Sequence, residues 1–414
     1  MVKIAIIGAG IGGLALACGL RRSGLEATVY ERDGGLAATG GYHLHLHSRA
    51  LAALRRLLEP EVLEQLFGSS TAGDIDLTTA MRDHRARRLA TLRGAEDGRS
   101  VNIDRVTLLR LLAHQVGDSV RWAATCLDHA ATPGGGAVVR LADGSTVHAD
   151  VVVGADGARS VVAQQLSQGR AASGPVGLIG VGGMTPASAL STTTTELLGT
   201  RGSNFALGPR RTALYLGFHD PIANPVADVA LWEPPATREA TYIFGAMLGE
   251  SPATFSLLQL SGRELGAATA RQLSSLGWSP DLTTVIENTA PTSLAAFRLR
   301  SADPEVLAPW AAGPVCAIGD AVHAVPPTGG QGVATAILDA QVLCDELTAA
   351  ARGDKTVAVA VHDFSSQMRT YAQTAVKDSL KPVTWMERSS TRPGRIAMHT
   401  AGVFAGLRRG VVRR

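Results

Sequence analysis

A glycine-rich segment near the amino end of the chain has the spacing of a dinucleotide-binding turn. Gly8, Gly10 and Gly13 follow the pattern G-x-G-x-x-G. In this pattern the first glycine allows a tight turn, the second lets the backbone approach a pyrophosphate, and the third lets a helix pack closely on a strand. Ile11 and Gly12 lie at the amino end of that helix, where free N–H groups attract phosphate. The segment predicts dinucleotide binding but does not decide between NAD and FAD.

An acidic residue, Glu31, ends the next predicted strand, about 20 residues after the glycines. A carboxylate at this position can accept hydrogen bonds from both hydroxyls of a ribose. Arg32 follows it and is a further candidate contact with the cofactor. Without these neighbours the glycines would be equally consistent with a tight turn packed by small residues.

A second polar segment, Asp156-Gly157 with Arg159, follows another apolar run. In α/β proteins the carboxyl ends of strands carry ligand-binding groups. Asp156 could accept a hydrogen bond from a ligand hydroxyl, and Arg159 could neutralise a phosphate. The same residues could also form an Asx turn that ends the strand.

The third segment runs from Gly319-Asp320 through Pro327 into the amino end of a predicted helix. Asp320 could hold a polyol hydroxyl, and the helix amino end could stabilise negative charge on a ligand. His323 is expected to be a packed or hydrogen-bonded structural residue rather than a base. The remaining candidate cofactor contacts of this segment are Gly329, Gly330, Gln331, Gly332 and Val333. Arg105, at the start of a predicted helix, is either a phosphate partner or an exposed arginine.

The elements that must position these residues alternate between strand and helix, which predicts an α/β fold. Apolar runs at 2–7, 27–30 and 315–318 predict buried parallel strands. Helices are predicted at 11–22, 51–66, 106–115 and 331–347. Strands at 137–141 and 146–153 are joined at Asp143-Gly144, a hairpin signal.

A change in composition between about residues 171 and 291 predicts a separate, mostly antiparallel sheet inserted into the α/β domain. Its strands include 212–218 and 241–247, and a helix at 262–276 interrupts them. Arg210, Tyr215, His219 and Tyr242 are its candidate substrate contacts, although an exposed or core-filling role is the simpler interpretation of each. The alternating stretch 42–47 predicts a strand with its histidines on one face. We expect no metal there, because no carboxylate or cysteine joins them.

Composition limits the function classes. Hydrophobic residues form 45% and charged residues 18% of the 414 residues, which indicates a globular protein with a sizeable core. The net charge of +3 gives no global field for nucleic acid or an anionic membrane. The basic tail at 408–414 is expected to be solvated. The four cysteines are scattered along the chain, and each is predicted to be a small buried residue. No signal peptide and no apolar run of about 18 residues is found. We expect a cytoplasmic protein without a membrane span, as a monomer or homodimer.

Taken together, the three segments resemble the fingerprints of the class A flavoprotein monooxygenases, the family of p-hydroxybenzoate hydroxylase. These are Gly8 to Gly13, Asp156-Gly157, and Gly319-Asp320 continuing through Pro327 to Gly332. The family's arginine at the start of the intervening helix matches Arg105. The resemblance implies a Rossmann-like FAD-binding domain, an inserted mostly antiparallel substrate domain and carboxyl-terminal helices. The expected division is FAD-binding domain at 1–75, 98–172 and 291–350, substrate domain at 76–97 and 173–290, and carboxyl-terminal helices at 351–414.

The resemblance also implies a mechanism. FAD is reduced by transiently bound NADPH or NADH, and O2 then forms a flavin C(4a)-hydroperoxide that hydroxylates an aromatic or polyketide-like small molecule. Glu31 would bind the adenosine ribose and Asp320 the ribitol, while Asp156 and Arg159 would serve both cofactors. Pro327, Gly329 and Gly330 would line the reactive flavin edge. Epoxidation, Baeyer–Villiger oxidation, and a flavin reductase, dehydrogenase or oxidase remain alternatives, as does a non-enzymatic binder. We expect no long carboxyl-terminal extension of the kind found in certain phenol hydroxylases.

Overall fold

The computed structural model describes residues 2–36, 43–71, 78–93, 100–170, 173–221 and 226–390. Tyr42 and the basic tail at 408–414 lie outside these ranges. The described strands form a five-stranded, a three-stranded, a seven-stranded and a two-stranded sheet.

The described strands are, in chain order, β1 (Lys3–Ile7), β2 (Glu26–Tyr30), β3 (His43–Leu46), β4 (Thr78–Asp83), β5 (Arg88–Arg93), β6 (Val101–Asp104), β7 (Val120–Arg121), β8 (Cys126–Ala131), β9 (Ala137–Leu141), β10 (Thr146–Ala149), β11 (Val151–Gly154), β12 (Gly174–Pro186), β13 (Ser203–Gly208), β14 (Thr212–His219), β15 (Thr241–Gly249), β16 (Ala295–Ser301) and β17 (Val315–Ala317).

The described α-helices are α1 (Ile11–Arg22), α2 (Ser48–Leu57), α3 (Pro60–Gly68), α4 (Arg105–Val116), α5 (Val161–Leu166), α6 (Thr192–Leu198), α7 (Pro252–Phe255), α8 (Gly262–Ser275), α9 (Pro280–Glu287), α10 (Asp320–His323), α11 (Gly332–Ala351) and α12 (Val357–Ser390). None of the helices in the described part of the chain is both long and apolar enough to cross a membrane.

The five-stranded sheet is parallel, with the strand order β17-β11-β1-β2-β7. The central strands β1 and β11 are almost entirely apolar and buried, because helices pack on one face of the sheet and the three-stranded sheet packs on the other. Since the strands are parallel, the ends of β1, β2, β11 and β17 meet at one edge, here called the cofactor edge. The predicted buried strands and the α/β class are confirmed by this sheet.

The seven-stranded sheet has the order β16-β12-β15-β14-β13-β4-β5 and is antiparallel except where β13 pairs with β4. The predicted mostly antiparallel sheet is therefore confirmed. Because β16 pairs with β12, the sheet continues to Ser301, beyond the boundary predicted at residue 290. β16 lies just beyond the segment whose composition changes, so composition alone could not assign this strand to the sheet.

The two faces of this sheet have different surroundings. One face packs its leucines, such as Leu214 and Leu216, against α8 and α9. The other face is covered at one end by Val383 and Met386 of α12. Beyond α12 the same face carries Tyr215, which is 41% exposed. We call this uncovered part the open face.

Two predicted elements were wrong in detail. The predicted helix 51–66 is two helices, because Pro60 cannot donate a helical hydrogen bond and Glu59 before it is extended. The predicted strand 146–153 is two strands in different sheets, and Asp150 between them accepts a hydrogen bond from the Lys3 backbone N–H. The predicted helix 262–276 is confirmed as α8, and α6, α7 and α9 also lie within the inserted segment.

Candidate active site

The glycine turn lies at the cofactor edge, between β1 and α1. Gly8 has a φ of +112°, and a Cβ atom there would lie 2.4 Å from the carbonyl oxygen of Ala155. A Cβ on Gly13 would lie 2.1 Å from the Gly8 oxygen. In contrast, a Cβ on Gly10 would meet no atom closer than 4.0 Å. Gly8 and Gly13 are thus required for packing, and Gly10 leaves the backbone open to a ligand. Gly12 packs on Ala336 of α11.

Glu31 closes one side of this turn. One carboxylate oxygen accepts a hydrogen bond from the Ala9 N–H at 2.7 Å, and the other accepts one from the Asp33 N–H at 3.0 Å. The carboxylate is therefore fixed beside the glycines, where the sequence predicts a ribose contact. Arg32 lies at the rim, with 71% of its side chain exposed.

Asp320 lies at the same edge, on the first residue of α10. It is exposed to solvent, yet desolvation raises the pKa of its carboxyl group, against the opposing effects of His323 and Arg105. Asp320 thus borders an open space at the cofactor edge, here called the cleft, while neighbouring protein atoms remove part of its hydration. One Asp320 oxygen lies 3.8 Å from the Cβ position of Gly332, at the amino end of α11. The structure thus brings Arg105, Asp320 and the start of α11 together.

A fully buried carboxylate that was not anticipated from the sequence, Asp339, holds this region in place. It accepts hydrogen bonds from the Gly319 N–H at 2.7 Å, from Nε2 of His323 at 2.6 Å and from the Tyr371 hydroxyl at 2.6 Å. Burial alone would lower the pKa of His323, but the charge and hydrogen bond of Asp339, together with the charge of Asp320, raise it overall. His323 is therefore structural, as expected. In the sequence, only one feature points to Asp339: it lies about two helical turns after Gly332, on the same face of α11.

The loop from Pro327 to Gln331 connects Asp320 to α11 and rests on α12. The Thr328 hydroxyl donates a hydrogen bond to the Ser379 carbonyl at 2.6 Å, and a Cβ on Gly329 would lie 2.6 Å from the Ser379 hydroxyl. Gly330 has a φ of +62° and open space around it. Pro327 and Gly330 are exposed, and Gln331, Gly332 and Val333 are half-buried around the helix start. The participation of α12 was not anticipated from the sequence.

Asp156 touches the glycine turn through its backbone, since its Cα lies 3.0 Å from the Cβ position of Gly8. Its carboxylate accepts hydrogen bonds from the Ser160 hydroxyl and from the Val161 N–H at 2.7 Å, so it caps α5. Gly157 has a φ of +79°, and Arg159 is exposed. The turn-forming interpretation of Asp156 thus describes its contacts in this structure.

Two of the four candidate substrate residues lie on the open face. Tyr215 is 41% exposed, and desolvation by neighbouring protein atoms raises the pKa of its phenol. His219 stacks on His43 of β3, with ring centroids 3.4 Å apart. Desolvation lowers the pKa of His219 to about 4, and desolvation together with His219 lowers that of His43 well below its ordinary value. Both imidazoles are therefore neutral.

The other two candidates do not join Tyr215 and His219 on the open face, which corrects the prediction for them. Tyr242 is 1% exposed and packs in the core on the opposite face of the sheet, where its hydroxyl donates to the Gly199 carbonyl at 3.0 Å. Arg210 lies in the turn between β13 and β14, at the end of β14 opposite to His219.

Other features of the described residues offer no competing site. A cavity of about 620 Å³ lies at the opposite edge of the parallel sheet, beside Val2, Leu25 and Pro314, and contains no group of catalytic side chains. The four cysteines are free and buried, as predicted. Within the described ranges, His, Cys, Asp and Glu form no group of three that could hold a metal ion.

Comparisons with known proteins agree with this geometry. The FAD binding domain family model matches residues 1–225 and 282–379. The chain is 27% identical to the dual O-methyltransferase/FAD-dependent monooxygenase elcB of Phaeosphaeria nodorum, over 90% of this chain but only 44% of that protein. It is 26% identical to the FAD-dependent urate hydroxylase of Mycolicibacterium vanbaalenii, over 83% of this chain and 78% of that protein.

Among solved structures, Klebsiella pneumoniae HpxO in complex with FAD and uric acid has the same fold. The TM-score is 0.76, with 19% identity, 97% of this chain and 92% of that chain covered. The fold is therefore that of the p-hydroxybenzoate hydroxylase-like proteins. The match of the family model to most of the chain, at the residues that build the cofactor edge, shows that this protein belongs to the FAD binding domain family of class A FAD-dependent monooxygenases.

Proposed function

We propose that this protein uses FAD, NAD(P)H and O2 to hydroxylate an aromatic or polyketide-like small molecule. One observation carries the proposal: the glycine turn, Asp320 and the Pro327 loop lie together at the cofactor edge, next to the open face with Tyr215, since α12 contacts both that loop and the same face of the sheet. A flavin held by the first three would present its reactive ring to a substrate on the fourth. The urate hydroxylase relative, named for a small heteroaromatic substrate, supports the same class of reaction.

The residues fit FAD. The bare backbone at Gly10 and the amino end of α1 suit a pyrophosphate. Glu31 lies beside that turn for the adenosine ribose, and Asp320 lies in the cleft for the ribitol hydroxyls. Gly330 leaves space at the amino end of α11, whose dipole stabilises negative charge.

Bound FAD would supply the redox chemistry, accepting a hydride from NAD(P)H and activating O2. In balance, NAD(P)H, a proton, O2 and the substrate C–H give NAD(P)⁺, water and the hydroxylated product. The protein's own part is to orient the two reactants and to exclude water. The Tyr215 phenol keeps its proton, and the stacked His43 and His219 rings are neutral. These side chains can therefore hydrogen-bond a substrate without adding charge to the cleft.

The test is anaerobic reduction of the purified, yellow holoenzyme. We expect NADPH or NADH to bleach the flavin absorbance, and one member of a panel of aromatic and polyketide compounds to accelerate it. A holoenzyme that neither nucleotide reduces with any compound would contradict the proposal and indicate a flavin oxidase or an enzyme with another electron donor.

A further inference from the structure

Four polar residues form a continuous row between the two-stranded sheet and the open face: Asp104, His43, His219 and Thr241. His43 and Asp104 are directly paired across β3 and β6, so their side chains share a face. The His43 ring stacks on His219, and His219 is directly paired with Thr241 across β14 and β15. We call these four residues the histidine row. It adjoins the cofactor edge, because Asp104 precedes Arg105, whose charge acts on Asp320.

The histidine row contains four buried polar atoms that have no hydrogen-bond partner among the described residues. They are both ring nitrogens of His43, Oδ2 of Asp104 and Oγ1 of Thr241. Asp104 and Thr241 are each only 3% exposed. Buried polar atoms are nearly always paired, because an unpaired buried group loses its hydration without compensation. Four such atoms in one row mark a place where a ligand would supply hydrogen-bond partners.

The charge of the row limits the ligand. Both imidazoles are neutral, since desolvation lowers their pKa values. Asp104 contributes a carboxylate whose other oxygen accepts from the Thr107 N–H at 2.9 Å. A carboxylate on the ligand would therefore meet a second carboxylate and two imidazoles that resist protonation. A neutral group that donates and accepts hydrogen bonds can pair with members of the row without bringing a second negative charge beside Asp104.

The surface next to the row suits the remainder of an aromatic molecule. Ile243 and Gly245 follow Thr241 on the same face of β15, and a Cβ on Gly245 would meet no atom within 4 Å. Gly182, paired with Gly245, adds a second stretch of bare backbone. A flat aromatic ring can lie on this apolar surface while its polar substituent contacts the histidine row.

We propose that the histidine row binds an uncharged hydroxyl, carbonyl or amide group of the substrate and discriminates against aromatic carboxylates. This inference rests on the proposed function, because it places the substrate on the open face. Specificity of this kind arises from leaving buried polar groups unpaired when the wrong ligand binds.

The probes are 2-naphthamide and 2-naphthoate, which have the same shape and differ in charge. Binding to the holoenzyme is followed by the perturbation of flavin absorbance. We expect 2-naphthamide to bind at least tenfold more tightly than 2-naphthoate. Equal affinity, tighter binding of 2-naphthoate, or no binding of 2-naphthamide would overturn the inference.

Thr241→Val tests the row directly, because valine has nearly the same shape without the hydroxyl. We expect about fivefold weaker 2-naphthamide binding, together with an unchanged or higher unfolding temperature of the ligand-free holoenzyme. Thr185→Val is the matched control, since the Thr185 hydroxyl is satisfied by the Val285 carbonyl at 2.7 Å. The control should lower the unfolding temperature and leave 2-naphthamide affinity unchanged. A Thr241→Val protein that is less stable but binds normally would show that Thr241 is structural.

His43→Leu separates the substrate from the flavin. We expect weaker 2-naphthamide binding with unchanged FAD content, whereas loss of FAD would assign the row to the cofactor and overturn the inference. Failure of the proposed function would give a different result: 2-naphthamide would still bind, but NAD(P)H would not reduce the flavin of the holoenzyme.

Discussion

Replacing Asp320 by alanine should separate cofactor binding from folding. The Asp320 carboxylate lies exposed in the cleft, and desolvation raises its pKa, so the folded protein bears a cost for keeping it charged. Removing it should therefore leave the unfolding temperature of the FAD-free protein unchanged or slightly higher. Because the protein keeps the Asp320 carboxylate despite this free-energy cost, we infer that it functions in ligand binding.

The expected loss in FAD affinity follows from the hydrogen bonds that a carboxylate makes to hydroxyl groups. One hydrogen bond to a charged group is worth about 1.5–3 kcal/mol, which corresponds to a change of roughly 10- to 150-fold in the dissociation constant. The assay is fluorescence titration of the FAD-free protein with FAD. Asp354→Ala, an exposed position after the far end of α11, is the matched control and should bind FAD normally.

Equal FAD affinity of Asp320→Ala and the parent would remove Asp320 from the cofactor site. A lower unfolding temperature of the FAD-free variant would instead show that Asp320 supports the fold. Either result would refute the reasoning that assigns the ribitol contact to this carboxylate.

Three further predictions test other parts of the account. Gly13→Val should abolish FAD binding because its Cβ would lie 2.1 Å from the Gly8 oxygen, whereas Gly34→Val, in open space, should retain FAD as measured by absorbance. Asp339→Asn should lower the free energy of unfolding in urea by about 3 kcal/mol, since it breaks a buried ion pair; an unchanged midpoint would contradict this. His219 has a folded pKa of about 4 against an ordinary 6.5, so its contribution to stability is present above pH 6.5 and is lost as the pH falls toward 4, by up to about 3 kcal/mol. His219→Asn should reduce this acid destabilisation, and an identical pH profile would argue against a neutral buried histidine.

Short-range patterns in the sequence predicted much of the cofactor edge. Glycine spacing, apolar runs and the acidic strand end are local features, and the turn at Gly8 to Gly13 requires glycine for steric reasons visible in the structure. Asp320 was identified because it follows a buried strand. In each case the residue and the element that positions it are adjacent in sequence.

The parts that could not be predicted depend on contacts between distant segments. Asp339 joins Gly319 to Tyr371, and Ser379 supports the Pro327 loop, although nothing in the local sequence marks either residue. The stack of His43 on His219 joins two sheets, so the alternation of histidines in β3 could predict a face but not its partner. Tyr242 was a candidate by residue type alone, and strand register directs it to the core.

The most direct test of the central claim is isotope incorporation from ¹⁸O2. The holoenzyme is incubated with NAD(P)H and the compound that most accelerates flavin reduction, and the product is analysed by mass spectrometry. The account predicts one ¹⁸O atom in each product molecule, with one NAD(P)H consumed for each. Product that carries oxygen only from water, or NAD(P)H consumption that yields hydrogen peroxide and no oxygenated product with any compound, would contradict it.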